Sequence, residues 1–264
     1  MLMDHKNIVD TVNKRTYAKT AVVDWYDHLD FILRPEQVIL EKLLPHIKDK
    51  KILDIGIGGG RTTKFLLEIS KDYTGIDYTS GCIEVVKRKY KDANVLCCDA
   101  RDLKIFCDNA FDFVLFSFNS IDYIIHEERI RALTEIHRVL KPGRFLMFST
   151  HNRDYRFFNK LPWQEKPRFN MNHLKSCLYT LYYLPKHLKM KRHEIHTDEY
   201  AIINDNAHGY SMLAYYITIN KQVKQLERIG FSTLETYDME GKQINNDTAF
   251  PWTYYLAKKE ITLV

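Results

Sequence analysis

The sequence predicts an α/β protein built on a doubly wound, mostly parallel sheet, and three observations carry that expectation. Apolar runs of strand length lie at 51–55, 72–76, 94–98, 111–116 and 143–149. Segments of helical periodicity start between them, near 61, 80 and 127. Alternation of this kind builds a parallel sheet with helices on both faces. The third observation is a glycine-rich turn, Lys51-Ile-Leu-Asp54-Ile-Gly56-Ile-Gly58-Gly59-Gly60-Arg61, with an acid, Asp77, ending the next run, Tyr73-Thr-Gly-Ile-Asp77. In α/β proteins a glycine turn followed by an acid about 20 residues on holds a ribose.

Taken in chain order, residues 1–35 mix charge with aromatics (Tyr17, Trp25, Tyr26, Phe31) and are expected to form a helical arm or lid. Apolar residues at helical spacing follow Pro35, which suits the first turn of a helix. Residues 36–150 hold the alternating core. After Thr150 the rhythm breaks, and 151–216 read as a basic, aromatic insertion capping the substrate. Residues 217–264 return to the core: an amphipathic helix over Asn220–Ile229 stopped by Gly230, then strands near 231–238 and 252–258. These complete a sheet of seven strands.

The turn narrows the choice of nucleotide. A dinucleotide site wants glycine at the first, third and sixth positions; Gly56 and Gly58 fit, but the sixth is Arg61. A phosphate loop would end in Gly-Lys-Ser/Thr, which is absent. The spacing present is Asp54-x-Gly56-x-Gly58-x-Gly60, and it resembles the first motif of the class I methyltransferases that use S-adenosylmethionine. The resemblance continues in order through Asp77, Cys98-Asp99-Ala100, Phe111-Asp112-Phe-Val-Leu-Phe116 and Leu140-Lys-Pro-Gly143-Arg-Phe-Leu-Met-Phe148. It covers roughly 36–150 and the chain end, and Arg144 stands where a second glycine is common. It implies that Gly56, Gly58 and Gly60 bring backbone close to the methionyl part of the cofactor. Asp54 would help hold its ammonium, and Asp77, with Tyr78 beside it, its ribose. Asp99 and Ala100 would contact the adenine, and Phe116 and Ser117 would border the site. It also implies that the last two strands form an antiparallel hairpin.

Composition excludes several classes. Of 264 residues, 45% are apolar and 28% charged, ordinary for a globular protein. No apolar run approaches the roughly 20 residues of a membrane helix. The start, Met1-Leu-Met-Asp-His-Lys, has no apolar core, so no signal peptide is expected. Five cysteines without C-x-x-C spacing fit neither a disulfide framework nor a metal site, so no metal and a cytoplasmic setting are expected. Net charge is +5, but 151–196 alone carries +7 and the remainder −2.

Ligands in such sheets bind beyond the carboxyl ends of the strands. Ser117-Phe118-Asn119-Ser120 and Ser149-Thr150-His151-Asn152 therefore face the transferred methyl. His151 is the first candidate base for an oxygen or nitrogen acceptor, and His208 the second. The fourth-strand exit lacks the Asn/Asp-Pro-Pro-Tyr/Phe turn by which enzymes that methylate DNA base amines or protein glutamine resemble one another. The expectation is a methyltransferase acting on an oxygen or nitrogen of a small metabolite, an anionic one being allowed by the basic insertion, which reads first as a solvated face; a homodimer is an allowed state and nucleic acid is disfavoured. The rivals are an RNA methyltransferase using the basic insertion as platform, and a silent S-adenosylmethionine-binding partner protein.

Overall fold

The computed structural model describes residues 5–164, 171–246 and 249–261. The arm comprises α1 (His5–Tyr17) and α2 (Thr20–Asp27). The core then runs α3 (Arg34–Ile47), β1 (Ile52–Ile55), α4 (Thr63–Ile69), β2 (Tyr73–Asp77), α5 (Ser80–Lys89), β3 (Asn94–Cys97) and β4 (Phe111–Phe116). It continues through α6 (His126–Val139) and β5 (Leu140–Asn152). The insertion supplies α7 (Met171–Lys191), β6 (Ile195–His196), β7 (Tyr200–Ile203) and β8 (Ala214–Ile217). The chain returns to the core as α8 (Ile219–Ile229), β9 (Phe231–Tyr237) and β10 (Trp252–Lys259).

The strands of the core lie in the order β3-β2-β1-β4-β5-β10-β9, parallel except for β10, which runs antiparallel to both β5 and β9. That is the expected seven-stranded sheet with its antiparallel hairpin. Three further strands extend it. β4 leaves β5 after Phe116 pairs with Phe148; β8 then takes the vacated edge, pairing in parallel with His151 and Asn152. β7 and β6 follow antiparallel. The sequence reading finds no βα repeat in 151–216, and the described residues there form α7 followed by three short strands. It did not resolve these strands, which span only two to four residues each and are too short to set up a period.

Helices cover both faces, so β1 and β4 are buried along their whole length and mostly apolar rather than alternating. Successive residues go to opposite layers. Leu53, Val114 and Leu146 pack with Leu133 and Ile136 of α6 and Leu226 of α8. Ile52, Phe113 and Met147 pack with Ile39 of α3, Leu66 of α4 and Val86 of α5. α8 is closed at one end by the Thr218 side chain accepting from Lys221 N–H, and at the other by Gly230 at φ 103°.

Arg61, the residue that breaks the dinucleotide pattern, is 6% exposed and makes a bidentate pair with Glu36 of α3, at 2.6 and 2.5 Å. Its guanidinium also donates to the Phe31 carbonyl and lies 4.8 Å from the Phe118 ring centroid. A glycine there would leave Glu36 buried without its counter-charge, keeping the Leu33 N–H and Ser117 Oγ as donors. Removing one partner of a buried pair costs about 3–5 kcal/mol, so the arginine ties the turn, α3 and the β4 exit together.

Candidate active site

The cofactor cleft opens at the carboxyl ends of β1, β2 and β4. Asp77 ends β2 and is 8% exposed. One of its oxygens accepts from Gly58 N–H at 3.0 Å and the other from Thr79 N–H at 2.8 Å. A carboxylate offers about four lone-pair positions, so both oxygens can each take one hydroxyl of a ribose. Burial holds the Asp77 carboxyl above its ordinary range, opposed by those two backbone donors.

The turn is shaped by close approach. Gly56, Gly58 and Gly60 have φ of 69°, 51° and 87°, values that favour glycine. A Cβ on Gly56 would lie 2.9 Å from Ser120 Cβ, and one on Gly59 would lie 2.3 Å from the backbone oxygen of Tyr26. The C-terminal end of α2 therefore seats directly on the turn. Asp27 anchors it there through Lys89 at 2.6 Å and Arg88 at 3.0 Å of α5. The sequence alone does not single out Gly59, because its need for space comes from Tyr26 at the end of a helix in a different part of the chain.

Gly56, Gly58, Asp77 and Tyr78 line this cleft with Asp99, Ala100 and Phe116. Asp54, Gly60 and Ser117 lie behind the wall. Ser117 Oγ donates to Glu36. The Asp54 carboxylate is 1% exposed and accepts from Thr62 Oγ1 at 2.7 Å and Tyr73 OH at 3.1 Å. Burial raises its pKa to about 7, against those two hydrogen bonds and the nearby Arg61. Asp99 is held by Arg101 through Nε at 2.8 Å and an Nη at 2.6 Å. Burial pushes the Asp99 carboxyl up, but Arg101 outweighs it and the net shift is downward. Arg101 also reaches Asp10 of α1 at 2.8 Å, which latches the arm over the cleft.

The arm contributes residues of its own. Tyr17 and Tyr26 line the cleft, with Tyr17 packed against Tyr26, Tyr78 and Tyr123 at centroid distances of 5.4–6.1 Å. Burial raises the Tyr17 and Tyr26 phenols, Tyr26 to about 12, so both stay neutral. The residue types suit S-adenosylmethionine: a carboxylate with acceptor positions to spare on Asp77, a turn with no room for Cβ atoms, an apolar floor at Phe116 and Ala100, and neutral aromatic rings at Tyr17 and Tyr26.

Tyr26 also borders a second cleft, lined by Trp25, Phe118, Asn119, Tyr123, His208 and Trp252. Asn119 follows β4 in the left-handed region, at φ 55°, with its N–H on Ser149 Oγ at 2.9 Å. Its side chain is 1% exposed, and among the described residues neither its oxygen nor its nitrogen has a partner. Leaving buried polar groups unpaired costs about 1–3 kcal/mol each.

The two candidate bases stand differently. His208, at φ 47°, lies at the rim of this second cleft, with ring centroids 5.7 Å from Trp25 and 6.0 Å from Tyr26. Its loop is pinned by Ser211 Oγ donating to the His208 carbonyl at 2.6 Å and by Asp205, which accepts from Tyr216 OH at 3.2 Å. Burial lowers its pKa, Asp205 opposing and Lys19 assisting. His151 sits behind the wall, 5% exposed, stacked on Tyr216 at 4.6 Å and edge-on to Tyr123 and Trp252. Its Nδ1 and backbone N–H both meet Asp122, at 2.8 and 2.6 Å. The fully buried Arg129 and Thr150 complete that carboxylate's partners.

The architecture, with a glycine turn after β1 and an acid ending β2, is that of the class I, Rossmann-like methyltransferases that use S-adenosylmethionine. Residues 53–148 match the family model described as a methyltransferase domain, so this part of the chain is a methyltransferase domain of the kind that takes S-adenosylmethionine. No curated protein matches the sequence. Among solved structures, the chain is similar to 1,6-didemethyltoxoflavin-N1-methyltransferase of Burkholderia thailandensis, which has 1,6-didemethyltoxoflavin and S-adenosylhomocysteine bound. Identity is 14% and the TM-score 0.62, over 99% of this chain and 92% of that one. A methyltransferase from Clostridium acetobutylicum shares 16% identity at TM-score 0.60, covering 94% of this chain and 98% of that one. One from Thermotoga maritima, described as a possible histamine N-methyltransferase, shares 16% at 0.56, covering 95% and 99%. At these identities the likeness is one of fold.

The Asp54 position carries a test. At pH 7 a carboxyl with a pKa near 7 is about half protonated, and an ammonium brought near it favours the charged form. Binding of S-adenosylhomocysteine is then expected to release about half a proton at pH 7 and progressively less at higher pH. Calorimetric titration in buffers of different ionisation enthalpy reads that number. Release that persists unchanged in Asp54→Asn would assign the proton elsewhere, Asp77 being the nearest alternative.

Proposed function

We propose that the protein methylates an oxygen or nitrogen of a small, planar, uncharged molecule held in the second cleft, with His208 taking the proton. The observation that carries this reading is Asn119, a buried carboxamide with both ends unpaired among aromatic walls. A carboxamide presents a donor beside an acceptor, which matches a ring edge carrying the complementary pair. The rings of Trp25, Tyr26, Phe118 and Trp252 offer flat apolar surfaces for stacking. No lysine or arginine lines this cleft among the described residues, so the reading favours a neutral acceptor over the anionic one allowed by the basic insertion.

The two clefts meet at Tyr26, which brings acceptor and cofactor against each other beside one residue. The bound cofactor supplies a sulfonium methyl open to in-line displacement. The protein's part is then alignment: Asp77 fixes the ribose end, Asn119 the acceptor edge, and the arm excludes water. His208, kept neutral by burial, accepts the proton that the oxygen or nitrogen loses as its new bond to carbon forms. His151, bonded to Asp122, acts as a positioning residue that supports Tyr123 and Trp252 from behind.

The reading is tested with S-adenosylmethionine labelled in its methyl group, incubated with the protein and either a small-molecule extract or total RNA. Label is expected in the small-molecule fraction at low and moderate salt alike. Label in RNA alone, falling by decades as salt rises, would overturn it. Binding of S-adenosylhomocysteine with no transfer to either pool would favour the silent partner protein.

A further inference from the structure

The helix α7 presents an unusual surface. Met171, Leu174, Leu178, Leu181 and Leu188 are 51–65% exposed and recur at intervals that keep them on one face. Tyr182, 78% exposed, stands beside them. Thr180 and His187, on the opposite side, are the buried residues by which the helix packs. At about 1.5 Å per residue the helix is about 30 Å long, so the stripe is a long apolar ridge. Exposed patches of that extent mark a binding surface.

The charge around the ridge says what covers it. α7 contains no acidic residue. Lys175, Lys189 and Lys191 are exposed, and no ion pair engages them among the described residues. A second copy laid along the ridge would set these lysines against their own equivalents, with no carboxylate on α7 to answer them. An anionic lipid surface takes the aliphatic ridge into its acyl boundary and pairs the flanking lysines with headgroup phosphates. Tyr182 suits the interface between the two, its ring apolar and its hydroxyl polar. No described helix is long and apolar enough to cross a membrane, so the contact is one of lying on the surface.

We infer that α7 docks the protein on anionic membrane surfaces. Tyr179 of the same helix lines the second cleft, so docking places the mouth of that cleft beside the lipid headgroups. The inference does not depend on which atom is methylated.

Co-sedimentation of the full chain with vesicles tests it. Binding is expected to vesicles of phosphatidylcholine mixed with phosphatidylglycerol, and to be about tenfold weaker or more with phosphatidylcholine alone or at raised salt. Leu178→Glu with Leu181→Glu should abolish it while leaving S-adenosylhomocysteine affinity unchanged, which shows that the variant is folded. Equal binding by that variant would overturn the inference. So would a wild-type chain that ignores both vesicles, whether it elutes as a dimer dissociated by the same substitutions or binds an acidic protein through the ridge.

Discussion

Asp77→Ala is expected to loosen both S-adenosylmethionine and S-adenosylhomocysteine by more than tenfold, about 1.4 kcal/mol, and towards a hundredfold. Hydrogen bonds to a charged acceptor contribute about 1.5–3 kcal/mol, and two ribose hydroxyls would share this carboxylate. Part of the loss would come from the protein itself. Asp77 also accepts the N–H groups of Gly58 and Thr79, so removing it frees the glycine turn as well as the sugar. Asp77→Asn separates the two contributions. It keeps the shape and one acceptor oxygen, and it should fall between wild type and Ala. Calorimetric titration of the three proteins with both ligands reads the result, and equal affinities throughout would refute the ribose assignment.

His208→Ala is expected to lower kcat by about 10²–10⁴-fold, the span of general base catalysis, with S-adenosylhomocysteine affinity unaltered. The sign of its pH dependence follows from burial. Desolvation disfavours the imidazolium and holds the pKa below the usual 6.5, so the base is free above that value and protonated below it. For the wild type, kcat/KM should therefore rise with pH through a point below 6.5 and then level. The acid limb should vanish in the Ala variant. His151→Ala is the comparison. If turnover survives loss of His208 and collapses with loss of His151, the proton goes to the histidine bonded to Asp122 instead.

Legibility in the chain alone followed how local the cause was. The parallel core could be read because β1, β4 and Phe145–Phe148 of β5 are short, mostly apolar runs set between helical segments. The glycine turn and Asp77 could be read because their geometry is fixed within one βα unit. The hairpin of β9 and β10 was expected only through family resemblance, and its pairing with β5 bears that out. Arg61 looked like a misfit until Glu36, 25 residues earlier and on a different helix, was found beside it.

Other features were decided only in three dimensions. Tyr17 and Tyr26 could be assigned to a lid but not to the cofactor cleft, because their distance from Asp77 depends on Asp27, Arg101 and Asp10 clamping the arm. Of the two histidines, His151 sits on a strand end and drew attention, yet β8 and β10 flank it on both edges and close it in. His208 lies in a loop packed against Tyr17 of α1 and Trp25 and Tyr26 of α2, elements far from it in sequence. The unpaired state of Asn119 is likewise a statement about every neighbour it lacks. Strand periods, turn glycines and ribose acids are written in short-range steric and hydrogen-bonding rules, so the fold and cofactor class were there to be read. Which polar group is left without a partner, and which histidine reaches a cleft, depends on side chains that only packing brings together.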